Sequence, residues 1–75
     1  MIPLNMIKNG EARIVKINGG KIFKKRLGAI GLREDDIISV VSASFWGPVI
    51  LRINGTRIGI GAGMANKIFV EPLRR

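Results

Sequence analysis

Apolar and polar residues change their spacing several times along the chain, and each change marks an element. Glu11 to Ile17 reads EARIVKI, rich in β-branched residues and closed by Asn18-Gly19-Gly20, which predicts a strand. From Lys21 to Ile30 the period lengthens. Phe23, Leu27 and Ile30 fall on one face of a helix, and Lys21, Lys24, Lys25 and Arg26 take the rest of its surface. Gly31 stands where a capping glycine ends such a helix. Ile37 to Ala43, IISVVSA, is apolar on both faces and predicts a central or strongly curved strand. Val49–Ile53 and Thr56–Ile60 flank Asn54-Gly55, the preferred pair for a two-residue type I′ hairpin. That turn sets a register in which Ile53 faces Thr56, Arg52 faces Arg57, Leu51 faces Ile58 and Val49 faces Ile60. Val49, Leu51, Ile53, Ile58 and Ile60 then share an apolar face, with Arg52 and Arg57 on the other.

The remaining segments are less regular. Leu4 to Gly10 predicts a turn of helix or a packed loop ending at Asn9-Gly10. Ser44 to Pro48 is a loop carrying Phe45 and Trp46. Gly61 to Lys67 is a glycine-rich link with a helical turn at Met64 to Asn66, and Ile68 to Val70 is a last short strand stopped by Pro72. The sum is about five strands, with one short helix between the first and second. In 75 residues they cannot build two full sheets, but they can curl into a small barrel. The expected fold is mainly β, an SH3-like barrel filling residues 1–75 as one domain.

Charge narrows the partner. Lys and Arg number 13 against 5 Asp and Glu, a net charge of +8, which points to an anionic surface: nucleic acid, an acidic protein or the inner face of a membrane. His, Cys and Tyr are absent, which removes thiolate and imidazole metal sites, disulfides, cysteine nucleophiles and histidine bases. No nucleophile stands beside a base, so catalysis is not expected. No tightly bound cofactor is expected either; weak association of a divalent metal stays open. The absence of disulfides fits a reducing, cytoplasmic setting. The N-terminus lacks the pattern of a signal peptide, and no apolar stretch approaches the roughly 20 residues of a membrane helix.

Four features stand out locally. Glu34-Asp35-Asp36 reads as a solvated turn. Gly59, Gly61 and Gly63 read as a corner where the barrel bends, since no Gly-Lys-Ser/Thr ending or βαβ unit accompanies them. Lys21, Lys24, Lys25 and Arg26 form the densest basic run, and with Arg52 and Arg57 they suggest a continuous positive surface. Phe45-Trp46 has two readings: aromatics presented to a partner, or rings folded back over the barrel mouth.

Taken in order, these segments resemble one family. The pattern runs Leu4, Gly10, Arg13-Ile14-Val15, Ile17 and Gly19-Gly20. It continues through Arg26-Leu27, Gly31-Leu32, Gly47-Pro48-Val49 and the Asn54-Gly55-Thr56 hairpin to Ala65, Ile68 and Val70. From about Leu4 to Glu71 it is similar to the FeoA family, ferrous iron transport protein A. More distantly it resembles the C-terminal SH3-like domain of DtxR-type iron-dependent repressors. It departs from the family at Arg33-Glu34-Asp35-Asp36 and at Gly61-Ala62-Gly63-Met64, both in predicted loops. The resemblance implies a cytoplasmic, non-catalytic accessory protein of ferrous iron uptake that docks on FeoB, a membrane GTPase. With the charge pattern, it makes Lys24, Lys25, Arg26, Phe45, Trp46, Arg52 and Arg57 the expected docking residues. The alternatives are a small basic nucleic-acid-binding barrel or a metal-responsive module. Self-association through an open strand edge stays open.

Overall fold

A computed structural model describes residues 1–44 and 46–73. The strands are β1 (Ile2–Pro3), β2 (Gly10–Ile17), β3 (Ile37–Ser42), β4 (Val49–Ile53), β5 (Thr56–Ile60) and β6 (Ile68–Pro72). A 3-10 helix spans Leu4–Met6, α1 spans Lys21–Ala29 and α2 spans Ala62–Ala65. Every strand pair is antiparallel, in one six-stranded sheet of order β1-β6-β2-β3-β4-β5. The architecture is the expected mainly-β, SH3-like one. The additional strand is β1, which moves the main helix to between β2 and β3.

The hairpin follows its turn chemistry. Asn54 and Gly55 both have positive φ, 50° and 81°, and Val49, Leu51, Arg52 and Ile53 meet Ile60, Ile58, Arg57 and Thr56 as the two-residue loop requires. Two bulges bend the rest. Against β6, Ile14 pairs with Val70 but Lys16 pairs with Phe69, so Val15 is an extra residue in β2. The inward set therefore runs Ala12, Ile14, Ile17, and Lys16 stays in water. Val41 is likewise extra in β3 against β4. These bends wrap the sheet around an apolar core to which Leu51, Val49, Ile14, Ile68 and Val70 contribute fully buried side chains.

Helix α1 attaches through its end. Leu27 is its one buried residue, and Phe23 packs beside the core. The Leu32 N–H donates to the Leu27 carbonyl (2.8 Å) and the Gly31 N–H to the Gly28 carbonyl (3.1 Å), with Gly31 at φ +96°. This is a Schellman cap, and its usual apolar contact is supplied by Leu27 and Leu32, both fully buried. The cap turns the chain before Ile30 can enter, so Ile30, expected on the buried face, is 39% exposed.

The acidic turn is more than a solvated loop. The Asp35 N–H donates to the Ile14 carbonyl (2.7 Å), and the Ile14 N–H donates to the Asp36 carbonyl (2.9 Å). Arg13 bridges Asp35 (3.1 Å) and Glu71 (3.0 Å), tying the turn to β2 and β6. Exposed pairs contribute about 0.2–1 kcal/mol each. Arg13→Glu replaces two attractions by two repulsions, so a loss of about 1–2 kcal/mol is expected at low ionic strength. Urea unfolding with and without about 0.5 M NaCl checks this, since salt should shrink the loss. An unchanged midpoint at low salt would show that the trio contributes nothing. Strand β6 also runs on through Pro72, which pairs with Ala12 at the ladder's end, where its missing N–H is tolerated.

Candidate partner-binding surface

The carboxylates are already committed. Asp35 and Glu71 hold Arg13, the Glu34 Oε2 accepts the Ile17 N–H (3.1 Å), and the Asp36 Oδ2 accepts the Arg33 N–H (3.2 Å). Glu11 is engaged as well. Among the described residues, the cations in ion pairs reduce to Arg13; Lys67 instead lies over the Phe23 ring, 5.5 Å from its centre. Lys24, Lys25, Arg26, Arg52 and Arg57 are exposed and make no ion pair with the described residues. The excess positive charge is therefore concentrated on side chains that the fold does not use.

Their placement follows from the elements. Lys24, Lys25 and Arg26 lie on α1, away from Leu27. Arg52 and Arg57 are direct cross-strand partners on the outer face of the β4–β5 hairpin. Like charges so placed repel mildly, a cost that an acidic partner would remove. Between the end of α1 and this hairpin runs a groove of about 500 Å³, lined by Gly28, Ile30, Arg33, Asn54, Thr56 and Ile58 among others. Neither Ile30 nor Arg33 stands out as a binding residue in the sequence. The cue was present in Gly31, because a capping glycine leaves the next helical apolar position outside.

Trp46 is 88% exposed, so its ring is not folded back over the barrel mouth. It lines a separate apolar groove of about 310 Å³ with Pro3, Met6, Ala62, Gly63 and Asn66. Met6, 55% exposed, is a second large apolar side chain there that sequence reasoning passed over. Trp46 thus lines a groove that shares no residue with the one between α1 and the hairpin, while Lys24, Lys25 and Arg26 lie on α1 and Arg52 and Arg57 on the hairpin. Phe45 lies outside the described residues. Gly61 caps the start of α2, whose first turn closes on the Gly61 carbonyl, and Gly63, expected at the corner, lies within that helix. Among the described residues, no three His, Cys, Asp or Glu side chains gather as a metal site requires. No helix among them is long and apolar enough to cross a membrane.

Comparison with known proteins gives a consistent picture. A family model described as the FeoA domain matches residues 2–72. A Methanocaldococcus jannaschii protein, provisionally named an Fe(2+) transport protein A, is 40% identical over 72 residues, covering 95% of this chain and 87% of that one. The crystal structure of an iron uptake regulatory protein (FeoA) superposes with a TM-score of 0.81 at 32% identity, covering 96% of both chains. The zinc-bound ScaR structure matches with a TM-score of 0.85 at 20% identity, over 97% of this chain and 37% of that one, and shares the fold.

Proposed function

The chain belongs to the FeoA family, and from that premise we propose that it serves ferrous iron uptake by binding the cytoplasmic part of a FeoB-type membrane GTPase. It does so as a non-catalytic accessory that adjusts transport or nucleotide turnover from the cytoplasmic side. The observation that carries this reading is the division of charge. The acids serve the fold, while Lys24, Lys25, Arg26, Arg52 and Arg57 stand exposed without ion pairs among the described residues. Such a surface attracts an acidic protein face and steers its approach. Trp46 supplies an aromatic anchor of the kind that dominates interface energetics.

A titration of the FeoB cytoplasmic region with wild-type protein and with Trp46→Ala/Arg52→Glu tests the surface. The double variant is expected to bind at least about tenfold more weakly, a loss of about 1.4 kcal/mol or more. Both positions are exposed, so folding should be retained. Equal affinity would rule the surface out. Nucleic acid is the less favoured partner. Single-strand binders stack successive bases on several aromatics, whereas Phe23 here is half-buried beneath Lys67.

A further inference from the structure

We infer that the free edge of β5 receives an extended segment of the partner, with acidic and aliphatic side chains in alternation, as an added strand. The inference deepens the reading above by stating what part of that partner binds and how.

The sheet has two edges, and they are unlike. Strand β1 is two residues long, and one of them is a proline with no N–H to offer. That is a guarded edge. Strand β5 is five residues, Thr-Arg-Ile-Gly-Ile, and nothing follows it in the strand order. Its backbone groups can be assigned from the register. A two-residue turn makes Ile53–Thr56 a pair that exchanges backbone hydrogen bonds, and alternation extends this to Leu51–Ile58 and Val49–Ile60. The N–H and C=O groups of Arg57 and Gly59 therefore point away from β4. Among the described residues no backbone hydrogen bond outside the regular elements reaches them. Two donors and two acceptors stand at the spacing an added strand needs, and Gly59 has no side chain to hinder its approach.

The two faces of that edge specify the occupant. On the outer face Arg57 lies beside Arg52, both exposed and without ion pairs among the described residues. On the other face Thr56 and Ile58 line the groove closed by Ile30 and Arg33. Successive side chains of an added strand point to these faces in turn. Carboxylates on the outer face would meet the two arginines, and aliphatic residues on the other would cover Ile58 and Ile30. A second copy of this chain suits the edge poorly. It would bring another +8 and a second Arg52–Arg57 pair to the same face.

The probe is a labelled peptide Ac-Glu-Val-Glu-Val-Glu-Val-Glu-amide, titrated to about 1 mM against isotope-labelled protein, with its Lys-Val analogue as control. Amide exchange should slow at Arg57 and Gly59 by about tenfold or more at saturation, while the Ile58 amide is protected from the start. Gly59→Pro deletes an outward donor without removing a β4–β5 bond, and should weaken the peptide by about tenfold or more. The inference is overturned by absence of binding, or by binding without protection at Arg57 and Gly59. Equal binding of the lysine analogue would also overturn it. So would shifts at Arg57 and Gly59 that track protein concentration without peptide, because self-pairing would then own the edge. The exchange measurement uses wild-type protein and stands even where Gly59→Pro does not fold. If the GTPase region binds Gly59→Pro as tightly as wild type, the partner reading survives and the edge does not. If the peptide protects the edge but the GTPase region does not bind, the edge survives and the partner reading does not.

Discussion

Leu27→Ala is expected to remove about 3 kcal/mol of stability, within the range for such truncations. The side chain is fully buried, and it is the one buried residue of α1. It also forms half of the apolar contact that closes the Schellman cap, so its loss frees Leu32 as well. A chain of 75 residues, at roughly 0.05–0.15 kcal/mol per residue, holds about 4–11 kcal/mol in total. The variant therefore gives up a large fraction. Its melting temperature should fall by roughly 12–24 °C, at 4–8 °C per kcal/mol for a domain of this size. Thermal unfolding followed by circular dichroism reads this directly. Ile22→Ala, on the same helix but 73% exposed, should stay within about 0.5 kcal/mol. Similar melting of the two variants would mean that α1 is not anchored where the cap places it.

Gly31→Val should cost about 2–3 kcal/mol through backbone strain, because a β-branched residue is forced to a positive φ. The observed φ is +96°, and a Cβ there would sit 3.1 Å from the Ile53 Cγ2. The strain falls at the joint between α1 and the β4–β5 hairpin, so the groove beside β5 should be disturbed along with stability. Gly63→Ala is the opposite case. Gly63 lies within α2, has open space where a Cβ would go, and has no positive φ. A gain of about 0.5–1 kcal/mol is expected there. Urea midpoints measure both. A Gly31→Val midpoint no lower than that of the wild type would overturn the assignment of Gly31 to the cap position.

What the chain reveals before folding depends on how local the cause is. The hairpin register was legible in full because two adjacent residues, Asn54 and Gly55, determine it. Helix α1 was legible because its apolar spacing and its terminal glycine agree. Strand β1 was not, because two residues carry no periodicity and their partners, Val70 and Phe69, lie at the far end of the chain. The bulges at Val15 and Val41 were hidden because a β-branched apolar residue suits either face of a bent sheet. Arg13, Asp35 and Glu71 read as ordinary surface charges until three segments meet. The candidate surface behaves alike. Arg52 beside Arg57 followed from the turn. The companionship of Trp46 with Met6 rests on loops that approach each other only in the folded chain.

The position of β6 between β1 and β2 sets the tempo of folding. Ile14 and Ile17 reach their partners Val70 and Ile68 across most of the chain, whereas the hairpin closes over two residues. Non-local pairing of this kind places small all-β domains on a millisecond-to-second scale, slower than helical bundles of the same size. During synthesis β3, β4 and β5 can assemble while β2 still waits with one side unpaired. That side is covered when the final strand emerges. Until then the nascent chain exposes an apolar strand that self-associates or engages chaperones more readily than the finished protein does.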